Sequence, residues 1–228
     1  MATTDFAGAG LHAAGTPLRY LALGDSYTIG EGVDEAGRWP VQLARALRAD
    51  AIPLDDPRII ARTGWTTSEL DAAIGSELEA AAAGEAAPLA GFDLVSLLIG
   101  VNDQYREHSV EQYSTGFAGL LDRAIGFAGG ARERVLVLSI PDWGVTPFAR
   151  AAGRDASLVG ARIDAFNARA RGICLQRGVA FVDITAASRE HGADPAMLAE
   201  DGLHPSQAAY AAWTRLALPW ARAAVACR

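Results

Sequence analysis

The chain has 228 residues, of which 50% are apolar and 21% are charged, and its formal net charge is −7. This length suits one α/β domain and is short for two. The negative charge argues against nucleic-acid and anionic-membrane partners, because both favour clustered Lys and Arg. The longest apolar stretches, such as residues 94–101, are far shorter than the roughly 20 residues that span a bilayer. We therefore expect no stable membrane insertion.

The first 16 residues lack the basic segment and the continuous apolar segment of a secretory signal. We interpret residues 1–16 as a flexible leader that precedes a single domain over residues 17–228, and we expect a cytoplasmic protein. The two cysteines, Cys174 and Cys227, form no C-x-x-C motif. Whether they pair stays open, because spacing alone does not give disulfide geometry.

Five short apolar runs have the composition of strands that are covered on both faces, since their apolar character is nearly continuous rather than alternating. These runs are residues 18–24, 58–62, 93–100, 134–140 and 179–184. Helices are predicted between and after them by apolar spacings of three and four. The alternation of strands and helices predicts a parallel sheet with helices on both faces, and ligands bound beyond the carboxyl ends of the strands.

Five helices are predicted from apolar spacing and from the residues that begin and end them. They cover residues 39–48, a segment opened by a Thr66-x-x-Glu69 capping box, residues 110–128, residues 156–176, and a final helix that begins at Pro205. Pro219 is expected to break or kink this last helix, because proline lacks the N–H that a helix interior needs.

Four short motifs lie where this topology places a ligand. They are GDS at 24–26, RTGW at 62–65, GVND at 100–103 and DGLHP at 201–205. Ester hydrolysis requires a hydroxyl nucleophile, an imidazole base, an acid that orients the base, and donors aimed at the developing oxyanion. Ser26 and His204 supply the hydroxyl and the imidazole, and Asp201 is the candidate acid. Gly64 and Asn102 offer a backbone N–H and an amide N–H.

Each residue also has an ordinary structural interpretation when it is taken alone. Ser26 suits a turn or a helix cap, Gly64 suits a turn that needs positive φ, and Asn102 suits an Asx turn. Asp142 and Asp183 also follow strands and are rival acids, which we rank below Asp201. The ordered occurrence of all four motifs favours catalysis.

These four blocks, in this order, resemble those of the SGNH (GDSL-type) hydrolase family. The resemblance implies a three-layer α/β/α sandwich with a five-stranded parallel sheet in flavodoxin-like order. It implies a serine esterase that needs no metal and no organic cofactor. It assigns Ser26, Asp201 and His204 to a catalytic triad, and the Ser26 N–H, the Gly64 N–H and the Asn102 side chain to an oxyanion hole. One departure is Tyr27, where many members have Leu.

We expect a small or short-chain acyl ester as the small-molecule substrate, because the chain shows no lid insertion. Acetylated carbohydrates, aryl esters, thioesters and lysophospholipids remain open, as does the oligomeric state. Two rival functions are an acyltransferase with the same acyl-enzyme and a catalytically silent binding domain. The absence of a G-x-S-x-G motif disfavours an ordinary α/β-hydrolase.

Several large side chains flank the motifs. Arg62 and Arg106 face either an anionic substrate or solvent. The candidate substrate-pocket residues are the aromatic side chains Tyr27, Trp65, Tyr105 and Trp143.

Overall fold

The computed structural model describes residues 17–226, so the predicted leader and Cys227 lie outside the described residues. One parallel sheet runs through this part of the chain, with helices on both sides and the strand order β2-β1-β3-β4-β5. The flavodoxin-like order is confirmed, and each strand lies within its predicted run. The strands are β1 (Tyr20–Gly24), β2 (Arg58–Ala61), β3 (Leu94–Leu98), β4 (Val135–Leu138) and β5 (Ala180–Val182).

Nine α-helices are formed by the described residues. They are α1 (Ser26–Ile29), α2 (Trp39–Ala49), α3 (Thr67–Ala82), α4 (Val101–Tyr105), α5 (Val110–Phe127), α6 (Pro147–Ala151), α7 (Ala156–Arg177), α8 (Thr185–His191) and α9 (Gln207–Ala226). The long helices follow the predicted apolar spacing. The helices α1, α4, α6 and α8 were not predicted, because a helix of one or two turns shows too few residues for a period to be recognised.

The predicted capping box at the start of α3 is present. The Thr66 side chain accepts from the Glu69 N–H, and the Glu69 carboxylate accepts from the Thr66 N–H at 2.8 Å. Two orphan N–H groups of the helix are satisfied in this way. The start of α3 is therefore fixed immediately after the RTGW motif.

The last helix differs from the prediction at its first residue and at Pro219. It begins at Gln207 rather than Pro205, and it is continuous through Pro219. Pro219 and Arg215, whose carbonyl loses its usual i+4 donor, are both exposed, so water can satisfy that carbonyl. The apolar side of α9 meanwhile packs against α2. The helix is therefore not broken at Pro219.

The sheet forms the centre of the core. Every residue of β1, β3 and β4 is buried, which explains why these runs are apolar without alternation. Within residues 17–226, no helix combines the length and the hydropathy that a membrane span requires. Three of the four motifs follow the carboxyl ends of β1, β2 and β3, so the topology gathers them at one edge of the sheet.

Candidate active site

Ser26 is the first residue of α1 and lies two residues after Gly24, the last residue of β1. Asp25 caps this helix, because its carboxylate accepts from the Tyr27 N–H at 3.0 Å. Asp25 is fully buried, and this burial raises its pKa to about 8 against the opposing effect of the Tyr27 hydrogen bond. The charge of Asp103 adds to the increase. Asp25 thus fixes the backbone that carries Ser26.

One pocket brings the four motifs together. Its volume is about 640 Å³, including the space at its open mouth. Ser26, Gly64, Asn102 and His204 all line it, although they are spread over most of the described chain. Each motif therefore contributes at least one residue to the same pocket.

Asp201 and His204 form a pair in the loop before α9. Asp201 Oδ2 lies 2.5 Å from His204 Nδ1, and Asp201 Oδ1 accepts from the Leu203 and His204 backbone N–H groups at 2.9 Å each. Burial disfavours the charged carboxylate, but these hydrogen bonds outweigh it and lower the pKa of Asp201. An ionised carboxylate at Nδ1 leaves His204 Nε2 available as a base.

The imidazole is also supported by an aromatic side chain. The Tyr27 ring meets the His204 ring edge-on, with 5.9 Å between the centroids, and Tyr27 in turn contacts Trp213 at 5.8 Å. Tyr27 is 3% exposed, so this support is part of the core. The position at which the sequence departs from the family pattern thus forms the wall beside the histidine.

The two rival acids have other partners. Asp142 Oδ2 accepts from Arg189 Nε at 2.8 Å, and Asp183 Oδ2 accepts from Arg171 Nη2 at 2.9 Å. Each carboxylate is therefore neutralised by an arginine. The contact with His204 Nδ1 is made by Asp201.

Asn102 lies in the first turn of α4, and its side chain is already oriented. Its Nδ2 donates to the Trp65 carbonyl at 2.9 Å. An amide nitrogen carries two N–H groups, so this bond leaves the other N–H for the pocket that Asn102 lines. The amide is held as a donor, which differs from the acceptor role of an Asx turn.

Gly64 lies in a tight turn after β2. The Trp65 N–H donates to the Arg62 carbonyl at 3.2 Å, and Gly64, the third residue of this turn, has φ +88°. Positive φ at the third residue, without positive φ at Thr63, describes a type II turn, in which glycine is favoured. Because the turn type sets the direction of the central peptide, it also sets the direction of the Gly64 N–H.

The candidate pocket residues divide into two groups. Tyr27, Tyr105 and Trp143 line the pocket, and the Tyr105 and Trp143 rings meet edge-on at 5.3 Å. Trp65 is outside the set of described residues that line it. Its half-buried side chain packs against the core, and only its carbonyl serves the site, through Asn102.

The two arginines beside the motifs differ in their surroundings. Arg62 is exposed. Arg106 Nη2 donates to the Gly64 carbonyl at 2.7 Å, and Arg106 Nη1 contacts the Glu69 carboxylate at 3.1 Å.

Sequence reasoning missed part of the pocket wall. Phe148 enters from α6, which is tied to the DGLHP motif because the Phe148 N–H donates to the Gly202 carbonyl at 3.1 Å. The only signal for it was its position after β4 in the order of the sheet. The lining residues that were not predicted are Thr63, Val101, Phe148 and Leu203.

An α/β/α sandwich with a serine, a histidine–aspartate pair and two candidate oxyanion donors at one sheet edge defines an SGNH-type hydrolase. The sequence model of the GDSL-like lipase/acylhydrolase family matches residues 22–212, and the chain belongs to this family. It is a carboxylic ester hydrolase by this membership. No curated protein matches the sequence.

Solved structures share the fold at low sequence identity. The esterase EstA from Pseudoalteromonas sp. has a TM-score of 0.66 and 14% identity, over 90% of this chain and 96% of its own. Axe2, an acetylxylan esterase from Geobacillus stearothermophilus, has a TM-score of 0.65 and 20% identity, over 91% and 95%. TesA has a TM-score of 0.64 and 22% identity, over 89% and 97%. At these identities the likeness concerns the fold alone.

Proposed function

We propose that the protein is a serine esterase that hydrolyses small or short-chain acyl esters through an acyl-enzyme on Ser26. The observation that carries this proposal is the convergence of Ser26, Gly64, Asn102 and His204 on one pocket, with Asp201 bound to His204 Nδ1. Nucleophile, base, orienting acid and oxyanion donors are the complete set that acyl transfer requires.

In the first step the Ser26 hydroxyl attacks the ester carbonyl carbon while His204 Nε2 takes its proton. The carbonyl oxygen becomes an oxyanion, which accepts hydrogen bonds from the Ser26 N–H, the Gly64 N–H and the second N–H of Asn102. The bond to the leaving oxygen then breaks, and His204 passes its proton to the departing alcohol. An acyl ester on Ser26 remains.

In the second step water replaces the alcohol. His204 Nε2 takes a proton from this water, whose oxygen attacks the acyl carbon, and the same donors hold the second oxyanion. Collapse breaks the bond to Ser26 Oγ, which recovers its proton from His204, and the carboxylic acid leaves. The pocket is open to solvent, so water can reach the acyl carbon at this step.

The pocket lining supports a small substrate with an apolar part. Tyr105, Trp143 and Phe148 contribute ring surface, and Val101 and Leu203 contribute aliphatic surface. Such walls favour the burial of an alkyl or aryl group. The structural relative Axe2 is by name an acetylxylan esterase, which supports a short acyl group.

The test is the Ser26→Ala variant, assayed with p-nitrophenyl acetate and with a fluorophosphonate label. We expect both turnover and labelling to disappear while the melting temperature stays close to that of the parent protein, because only one hydroxyl is removed. Ser76→Ala, at an exposed position of α3, is the matched control and should retain both. An Ser26→Ala variant that still hydrolyses the ester well above the buffer rate would disprove the proposal.

A second arm separates hydrolase from acyltransferase. Addition of an alcohol acceptor should leave most of the acyl group as free acid if water is the natural acceptor. A product mixture dominated by the new ester would identify a transferase with the same acyl-enzyme.

A further inference from the structure

The segment that carries Gly64 is fastened to the helix that carries Asn102. We call residues 62–67 the oxyanion loop. Asn102 donates to the Trp65 carbonyl at 2.9 Å, and the buried Asp103 carboxylate accepts from the Thr67 N–H at 2.9 Å and from the Thr67 hydroxyl at 2.7 Å. These bonds fix the C-terminal half of the oxyanion loop.

Arg106, the residue that follows α4, holds the remaining part of the loop. Its Nη2 donates to the Gly64 carbonyl at 2.7 Å. Its Nη1 lies 3.1 Å and 3.2 Å from the two Glu69 oxygens, and Glu69 is itself held by the Thr66 N–H at 2.8 Å. The Thr66 N–H and hydroxyl, together with Arg106, lower the pKa of Glu69, so it is a stable anionic anchor. The Arg106 guanidinium is thus held by Glu69 through Nη1 and donates to the Gly64 carbonyl through Nη2.

The Gly64 carbonyl matters because of the turn that contains it. Type I and type II turns differ mainly by a flip of the central peptide, which here is the peptide that carries the Gly64 N–H. Glycine lacks a side chain that would restrict this flip. The hydrogen bond from Arg106 restrains the glycine on its carbonyl side, and the Thr63 hydroxyl, which donates to Glu31, restrains the preceding residue.

We propose that Arg106 is a positioning residue of the oxyanion hole, which acts through the Gly64 carbonyl to keep the Gly64 N–H directed into the pocket. This inference rests on the proposed function, because it presumes that the Gly64 N–H serves an oxyanion. Arg106 is outside the set of described residues that line the pocket, so its action on the reaction is indirect. An exposed ion pair alone adds little stability, so the loss of Arg106 should affect turnover more than folding.

The chain offers a matched control. Arg123 joins α5 to α3 through Asp71 at 2.7 Å, and its side chain is 35% exposed, compared with 46% for Arg106. Both arginines therefore pair with an acidic residue of α3 at similar exposure. Only Arg106 also donates to the oxyanion loop.

The experiment compares Arg106→Met with Arg123→Met at a temperature well below both melting transitions. We expect Arg106→Met to lower kcat about 10-fold with little change in KM, which is less than the ~10²–10³ for outright loss of an oxyanion donor. Affinity for a trifluoromethyl ketone, which forms a tetrahedral oxyanion on the serine, should fall by a similar factor. Arg123→Met should match the parent protein in both, and the two variants should melt at similar temperatures.

Several outcomes would overturn the inference. They are an unchanged kcat in Arg106→Met, a loss confined to KM, or a lower kcat with unchanged affinity for the ketone. A melting temperature that falls far below that of Arg123→Met, with parental kcat in the remaining folded protein, would assign Arg106 to stability alone. If Ser26→Ala is inactive while Arg106→Met is fully active, only the positioning role fails. If Ser26→Ala stays active, the proposed function fails first.

Discussion

The two sides of the pocket are built in different ways. On the acid–base side, Asp201 makes all three of its hydrogen bonds to residues two or three positions ahead in the chain. On the oxyanion side, Asn102, Asp103 and Arg106 reach residues that are 36 to 42 positions away. The acid–base side is a local turn, and the oxyanion side is a set of hydrogen bonds between two segments that are distant in the sequence.

The carboxylates on the two sides differ in burial, whereas the Arg106 side chain, on the oxyanion side, is 46% exposed. The Asp201 side chain is 43% exposed, whereas the Asp103 side chain is 2% exposed. A polar group that is accessible to water can lose its partner at little expense to folding, but a buried one leaves an unsatisfied partner behind. Substitution of Asp201 should therefore affect the reaction alone, and substitution of a buried group on the oxyanion side should affect both reaction and stability.

In this comparison of the two sides, the largest effect is expected from Asp201→Asn. Asparagine cannot provide the carboxylate that orients the imidazole, and its amide N–H favours the wrong tautomer of His204. By analogy with the serine protease triad, kcat should fall by up to ~10⁴. Thermal melting should change little, because the contact is local and the Asp201 side chain is 43% exposed. Steady-state kinetics and a melting curve on the same sample check both statements.

The control for this variant is Asp194→Asn, at a neighbouring aspartate whose side chain accepts from the Ala196 N–H. Asparagine caps as well as aspartate, so this variant should keep its activity. A small effect at Asp201 beside a large one in Asp142→Asn or Asp183→Asn would transfer the acid role to that residue.

The second-largest loss of kcat is expected at Asn102, where the melting temperature should also fall. Asn102→Ala removes the proposed oxyanion donor, which should lower kcat by ~10²–10³ and leave KM nearly unchanged. It also leaves the Trp65 carbonyl without its donor, so the melting temperature should fall, unlike that of Asp201→Asn. Kinetics and melting are measured together.

Asn102→Asp distinguishes the donor role from an Asx turn. A carboxylate has no N–H for the Trp65 carbonyl or for the oxyanion, and it repels the developing charge, so this variant should be at least as slow as Asn102→Ala. An Asx turn needs only an acceptor and would tolerate aspartate. An active Asp variant would remove Asn102 from the oxyanion hole.

The difference between local and long-range contacts also explains how much of the fold and of the site could be predicted from the sequence. The order of the strands was implied by the resemblance to the SGNH family. The strands themselves and their parallel arrangement followed from apolar runs that alternate with helices, and a carboxylate three residues before a histidine can reach it within one turn. These signals are local, so a single sequence contains them. The contact between Asp201 and His204 Nδ1 is of this kind.

The contacts of the oxyanion side carry no such signal. Nothing in the spacing shows that Arg106 meets the Gly64 carbonyl, that Asp103 meets Thr67, or that Phe148 enters the pocket. These contacts depend on how α3, α4 and α6 pack. The helices α4 and α6 have five residues each, too few for a periodic pattern. Trp65, in the loop before α3, was predicted as a pocket residue, although the structure places its side chain against the core, and this direction also depends on packing that the sequence does not show.

The last prediction concerns stability rather than turnover and is made at Asp25, which precedes Ser26 in the chain and belongs to neither side of the pocket. Its Oδ1 accepts from the Tyr27 N–H, and its Oδ2 has no hydrogen-bond partner among the described residues. Burial raises the pKa of Asp25 from 3.8 to about 8. Between these two values the folded protein holds a proton that the unfolded chain has released, so stability should fall as the pH rises from about 4 to about 8.

Asp25→Asn tests this linkage, because asparagine does not ionise and its oxygen can still accept from the Tyr27 N–H. The free energy of unfolding of the variant minus that of the parent protein should increase with pH, by at most about 1.4 kcal/mol per pH unit. Urea unfolding at pH 5, 6.5 and 8 measures this slope, whatever the absolute stability of the variant. Asp194→Asn, which makes the same substitution at an exposed cap, is the control for the exchange of side chains. A difference that stays constant over this range would mean that Asp25 is ionised in the folded protein, and that its cap is a charged one.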